Sequence, residues 1–328
     1  MSSILLAEIL RGPAVESRHL GAYAVADSEG RIVLSGGDAD RAIFPRSAIK
    51  SLQALPLLLS GAADRLGLTG AELALACASH AGESIHVATA ARMLARAGLD
   101  ETCLECGTHW PTSRNAARAL AASAGKPGPL HNNCSGKHAG FICTAVATDR
   151  EPAGYVRPDH PTMRDVTEAV AAVTAIDLFR QTPGTDGCSI PTYAMPLHAL
   201  ATGFARFGTG THLPEGFAAA AARLRAAIAD NPVMLSGEGR FDTVVTEALG
   251  ASAFVKIGAE GVYCGAIPSR GLGFALKCDD GASRAAEAAT AALLLHFLGP
   301  NAVLQALAQA KMTNWNGIEI GSLRACIP

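Results

Sequence analysis

The chain has 328 residues, of which 49% are hydrophobic and 17% charged, and its formal charge is −2 at pH 7. Its 27 Lys and Arg are scattered, so no basic face for nucleic acid is expected. Apolar runs such as 291–295 are too short to span a bilayer, so no membrane partner is expected either.

A chain of this length can bury a large core in two lobes. The opening MSSILLAEILRG lacks a basic leader, and Glu8 breaks its apolar run, so it does not read as a secretory signal. A reducing, cytoplasmic setting is expected. The nine cysteines are then thiols or ligands rather than a disulfide framework.

Residues 5–37 are patterned as strands, with Asp27, Ser28, Glu29 and Gly30 as a hairpin turn. Pro45 opens a predicted helix through Leu52 and Leu55, which Pro56 bends or ends. Alanine-rich helical periodicity predicts helices over 83–97, 113–124, 161–175, 214–230 and 284–298. Thr112 or Ser113 is the N-cap of the second, and Asp230, Asn231 and Pro232 form a stop. From Val244 to Lys277 strands return, at 254–257, 261–267 and 273–277, and helices close the C-terminus. The strand–helix alternation of a doubly wound fold is missing. The expected fold is α+β: one antiparallel sheet from both chain ends, about 1–45 and 240–328, flanked by helices. A helical lobe, about 46–239, is inserted between them.

Three places carry chemistry. The first is Ser47, Ala48, Ile49 and Lys50. Residues three apart share a helix face, so Lys50 can reach Ser47. A serine attacks only after a base takes its proton, and an uncharged lysine is such a base. Placing Ser47 in a first helical turn also favours developing negative charge. A solvated serine beside a snorkelling lysine is the structural alternative.

The second is Lys256, Ile257 and Gly258, at a strand end. An ammonium there can sit beside a serine, and the glycine permits close backbone approach. Together with S-x-x-K, this layout resembles the serine β-lactamases and glutaminases. The S-D-N element of that architecture is not recognisable, and K-I-G stands for K-T-G. The nearest middle element is the loop 77–83, where Ser79 is a second hydroxyl or a helix N-cap.

The third is HNNCSGKHAG at 131–140, with its distant partner TDGCSIP at 185–191. Cys134 and Cys188 each lie in a polar, glycine-containing loop. Spacing alone selects Cys134, His138 and Cys188 as zinc ligands, or leaves two buried thiols. Cys103 and Cys106 lack a second pair and read as thiols. Gly237, Glu238 and Gly239 lack the strand and third glycine of a dinucleotide loop. Arg240 after them faces the substrate or a surface turn. His109 with Trp110, and Trp315 between Asn314 and Asn316, read as packing and turn features.

Taken together, these blocks resemble the Rhizobium etli-type L-asparaginases (class 3, asparaginase II family). The resemblance is carried by 44–50, 77–80, 131–140, Tyr155 with 158–161, 185–191 and 256–261. It implies a fold like serine β-lactamases and glutaminases, a homodimer, and hydrolysis of L-asparagine to L-aspartate and ammonia. It pairs Ser47 with Lys50, and Ser79 with Lys256, as the catalytic set. It assigns zinc to Cys134, Lys137 and Cys188, replacing His138 by Lys137. Arg46, His80, Asp186 and Arg240 are the expected substrate-binding residues, with Asp186 beside the metal's water. A glutaminase or another serine amidohydrolase of this fold is the nearest alternative. A zinc-stabilised amino-acid-binding protein without turnover is the other.

Overall fold

The N-terminal apolar pattern folds as the strands Ile4–Arg11 and Ala14–Asp27, paired antiparallel. The computed structural model describes residues 2–328 and divides into two units. The first holds Met1–Ala48, Ala194–His212 and Ser252–Pro328; the second holds Ile49–Tyr193 and Leu213–Ala251.

The first unit is built on an eight-stranded antiparallel sheet. Its order is Gln309–Thr313, Glu319–Ala325, Ile4–Arg11, Ala14–Asp27, Leu272–Cys278, Val262–Ile267 and Phe254–Ile257, with Ile32–Gly36 also paired to Ala14–Asp27. Both ends of the chain therefore meet in one sheet, as the pattern predicts. The hairpin at 27–30 forms because Asp27 Oδ1 accepts from the backbone N–H of Glu29 and Arg31.

Strand Val262–Ile267 is buried at every residue, and Leu272–Cys278 at every residue but Lys277. Strands buried on both faces need cover on both faces. Helix Leu197–Thr209 packs on these strands. A Cβ on Gly273 would fall 2.2 Å from Ala201 O, so only glycine permits this approach. Phe204 and Phe207 meet Phe254 with ring centroids 5.9 and 5.4 Å apart. Each such ring, once buried, contributes roughly 1.5–3 kcal/mol.

The second unit is helical. Its longer helices are Ser84–Arg96, Arg114–Ala122, Ser135–Ala147, Pro161–Thr174 and Phe217–Asp230. A small hairpin pairs Pro183–Thr185 with Pro191–Tyr193. Ser113 rather than Thr112 is the N-cap, accepting from Ala116 N at 3.4 Å.

Several expectations are corrected. The helix expected from Pro45 is a 3₁₀ turn, Arg46–Ile49, followed by two short helices, Lys50–Gln53 and Leu55–Leu59. Pro56 has no N–H to continue the ladder, so the helix restarts there. Ser47 thus lies in a 3₁₀ turn and not in the first turn of a long helix. Val244 lies in helix Phe241–Leu249, not in a returning strand. The C-terminus closes on strands Gln309–Thr313 and Glu319–Ala325, not on helices. Helix Leu197–Thr209, within the stretch expected to be the helical lobe, belongs to the sheet unit.

Candidate active site

In the second unit, Lys50 opens a short helix and is fully buried. Its ammonium donates to Ala78 O at 2.7 Å, Ser79 Oγ at 3.0 Å and Asn133 O at 3.3 Å. An ammonium has three donors, and three acceptors meet it. Ser79 sits in the turn before helix Ser84–Arg96, where the sequence placed it, and its N–H donates to Leu235 O.

His80 holds this turn against the 131–135 segment. Its backbone N–H donates to Asn133 O at 3.2 Å. Nδ1 accepts from Gly82 N, so Nε2 carries the proton and donates to Ser135 Oγ at 2.9 Å. Ser135 then donates to Leu130 O. Burial, reinforced by the charges of His86 and Lys50, holds His80 well below the usual imidazole value. Its ring stacks on His86 with centroids 5.0 Å apart. Both ring nitrogens of His80 are occupied by the fold.

The segment before helix Ser135–Ala147 is pinned from several sides. Asn132 Oδ1 accepts from Cys134 N, and its Nδ2 donates to Cys106 O and Gly107 O. Asn133 N donates to His109 Nε2 at 2.9 Å. A Cβ on Gly136 would lie 2.4 Å from Leu75 O, so this glycine of the motif serves close helix packing.

Cys134, Lys137 and Cys188 converge, and all three are buried. Lys137 Nζ donates to Cys188 Sγ at 3.0 Å. Cys188 is presented by the hairpin turn in which Asp186 N donates to Ile190 O at 2.8 Å and Ser189 N donates to Asp186 O at 2.9 Å. A hydrogen bond from Cys188, aided against burial by the charges of Lys50 and Lys137, holds Cys134 well below the usual thiol value. Giving that bond pushes Cys188 up, and burial adds to it. For Lys137, burial opposes the charge, but Cys188, Cys134 and Asp186 outweigh it and raise the amine. Two sulfurs and an amine thus meet at one point through shared protons. A cation can replace those protons, and two sulfurs with an amine suit Zn²⁺. His138, the choice of spacing alone, has its Nδ1 engaged elsewhere, in a hydrogen bond with Tyr155 OH at 2.6 Å. No disulfide forms among the nine cysteines, Cys103 and Cys106 included.

Ser47 and Lys256 belong to the first unit. The turn carrying Ser47 is entered through Arg46 at φ 51°, an uncommon conformation away from glycine. Lys256 is fully buried on strand Phe254–Ile257 and donates to Ile257 O at 3.2 Å. A Cβ on Gly258 would lie 2.7 Å from Pro45 O and 3.2 Å from Ala48 Cβ. The K-I-G strand end therefore lies directly against the Ser47 turn.

Arg240 is exposed and donates to Thr112 O and Thr112 Oγ1 at 3.0 and 3.1 Å. It precedes helix Phe241–Leu249 where a strand was expected. Sequence reasoning missed Asn133 and His109, which brace the Lys50 acceptors; the paired asparagines of the motif were the available signal. It also missed a group in the first unit, His19, Cys278 and Asp280, whose ligand atoms lie within 4.8 Å of one another. Residues 261 apart carry no spacing signal.

An α+β chain carrying these blocks falls among the asparaginase-type amidohydrolases, since a family model matches residues 7–325. That model is L-asparaginase II, and the chain belongs to this family. No curated protein matches the chain. Similar solved structures include a β-lactamase from Mycobacterium bovis, 15% identical, with 84% of this chain and 94% of that chain covered and a TM-score of 0.42. Mglu in its native form is 14% identical, with 86% of this chain and 64% of that chain covered and a TM-score of 0.39. Mglu in its glutamate form gives 14%, 85%, 61% and 0.39.

Proposed function

We propose that the protein hydrolyses the side-chain amide of L-asparagine, giving L-aspartate and ammonia. One observation carries this reading beyond family membership: the buried ammonium of Lys50 meets Ser79 Oγ at 3.0 Å, beside the Asn133–Cys134 segment. A buried lysine on a hydroxyl is the equipment of serine acyl transfer.

In the proposed reaction Lys50 first gives up the extra proton of its ammonium to solvent; the uncharged amine then takes the proton of Ser47, and Ser47 Oγ bonds to the amide carbon. The tetrahedral oxyanion collapses as the C–N bond breaks, and the lysine returns the proton to the departing ammonia. Water, deprotonated by the same lysine, cleaves the ester and frees aspartate. Ser79 relays protons between Lys50 and the reacting centre, and Lys256 supports it as a second amine. Arg46, Asp186 and Arg240 are proposed to bind substrate, with His80 shaping the site from behind.

Cys134, Lys137 and Cys188 would hold Zn²⁺. When bound, it supplies a fixed positive charge for the amino-acid end of the substrate and ties two loops together. Nine free thiols suit a reducing, cytoplasmic setting, and the family resemblance supports a homodimer. Glutamine is one methylene longer, so discrimination against it rests on pocket fit and is modest. Ammonia release from asparagine and glutamine tests the proposal, with Ser47→Ala and a surface serine variant as controls. A folded protein that binds asparagine without releasing ammonia would overturn it.

A further inference from the structure

Away from the proposed active site, the first unit places a histidine, a cysteine and an aspartate together. His19 lies on strand Ala14–Asp27. Cys278 ends strand Leu272–Cys278 and pairs with Gly21, one full pleat repeat from His19. Asp280 lies in the turn leading to helix Ser283–Leu298. His19 Nδ1 meets Asp280 Oδ2 at 2.6 Å, and Cys278 Sγ donates to Asp280 Oδ1 at 3.0 Å.

The backbone holds this arrangement in place. Asp279 N donates to Leu20 O at 2.8 Å, and Cys278 N donates to Gly261 O at 2.8 Å. Asp280 Oδ1 also accepts from Ala282 N. The His19 side chain is only 6% exposed, while that of Asp280 is 47% exposed. Two buried donors thus face one that opens to solvent, which gives an ion a way in. His19 Nε2 is buried and has no hydrogen-bond partner. Nδ1, which meets Asp280, is therefore the nitrogen that this cluster can use. Burial by itself raises the Asp280 carboxyl, but hydrogen bonds from Cys278, Ala282 N and His19 bring it down to about 2.

We propose that His19, Cys278 and Asp280 bind a Zn²⁺ ion that staples the two strands to the start of helix Ser283–Leu298. Tetrahedral zinc sets its ligand atoms about 3.3–3.7 Å apart. The observed 2.6 and 3.0 Å contacts are hydrogen bonds that open by less than about 1 Å to admit the ion. Binding sends the Cys278 thiol proton to solvent and moves the His19 proton from Nδ1 to Nε2, the nitrogen that faces away from the metal, so one proton is released in all. The thiolate and the carboxylate then neutralise the dication, and water completes the fourth position. Two basic residues bound to the adjoining segment are engaged elsewhere: Arg41 is paired with Asp279, and Lys277 Nζ donates to Glu260 O and Cys278 O.

The test uses the full-length chain carrying Cys134→Ser and Cys188→Ser, stripped of metal and checked by circular dichroism. Cobalt(II) is the probe, because a thiolate ligand gives a near-ultraviolet charge-transfer band. The expected result is one Co²⁺ per chain with that band, displaced by one equivalent of Zn²⁺. Adding Cys278→Ser abolishes the band, and His19→Gln or Asp280→Asn weakens binding about 10–100-fold. Absence of the band, or its survival in Cys278→Ser, overturns the proposal. If the background variant does not fold, zinc is counted in the otherwise unaltered protein. A count that falls by one with Cys278→Ser, and not with Cys103→Ser, supports the site; an unchanged count overturns it. This count does not depend on asparagine turnover, so failure here and failure of the proposed function are distinguishable.

Discussion

Lys50 donates to the hydroxyl oxygen of Ser79 at 3.0 Å, across 29 residues of chain. The expected partner of Lys50 is Ser47, three residues away. The proposed reaction asks one buried amine to serve both hydroxyls, which makes the serines experimentally separable.

Ser47→Ala is expected to lower kcat by about 10⁴ or more, because it removes the proposed nucleophile. Ser79→Ala is expected to cost about 10²–10³, the scale of a proton-transfer contribution. Lys50→Met should match Ser47→Ala. Single-turnover ammonia release measures all three. If Ser79→Ala is the dead variant and Ser47→Ala the mild one, the nucleophile is reassigned.

Gly258→Ala should cost about 1–3 kcal/mol, since its new methyl would meet Pro45 O at 2.7 Å. The Ser47 turn should shift with it, so kcat should fall together with the urea midpoint. A variant as stable and active as the parent would show that the strand end and this turn do not depend on close approach.

His80, His86 and His138 predict the pH dependence of stability. Burial holds all three below the ordinary imidazole value, so the fold disfavours their charged forms. Below about pH 6.5 the unfolded chain takes up protons that the folded chain does not. These histidines should therefore make stability decline below that pH, by up to about 1.4 kcal/mol per pH unit each. Urea unfolding from pH 8 to pH 5 tests this. His86→Asn should make the decline shallower by one histidine's share, and an unchanged slope would assign the decline to other groups.

Chelation separates two roles for the zinc proposed at Cys134, Lys137 and Cys188. An ion that positions substrate leaves kcat nearly intact and raises KM when removed; one that supplies the nucleophile takes kcat with it. The first outcome is expected. Metal content should drop in Cys134→Ala and be retained in Cys103→Ala.

The sheet from both chain ends was legible because Val25, Ile32 and Val33 flank a strong turn signal. The helices 83–97 and 161–175 were legible from their alanine-rich helical periodicity. Helix Ser135–Ala147 was not, because every residue but Val146 is buried and no polar stripe betrays its period. The closing strands were missed for the opposite reason: Gln309–Thr313 has no buried residue to mark a core face. The site motifs were visible as blocks, but the three acceptors around Lys50 include two backbone carbonyls, which no side-chain pattern can announce.

The pairing of Ile4–Arg11 with Glu319–Ala325 also sets an order of events at birth. Glu8 and Arg324, joined in the finished sheet at 2.8 Å, are 316 residues apart. At synthesis rates of about 5–20 residues per second, the first strand waits roughly 15–60 s for that neighbour. Throughout the wait its backbone offers an unpaired edge to any passing strand. Yield in the cell should then respond to translation speed and chaperone supply more than the finished protein's stability would suggest.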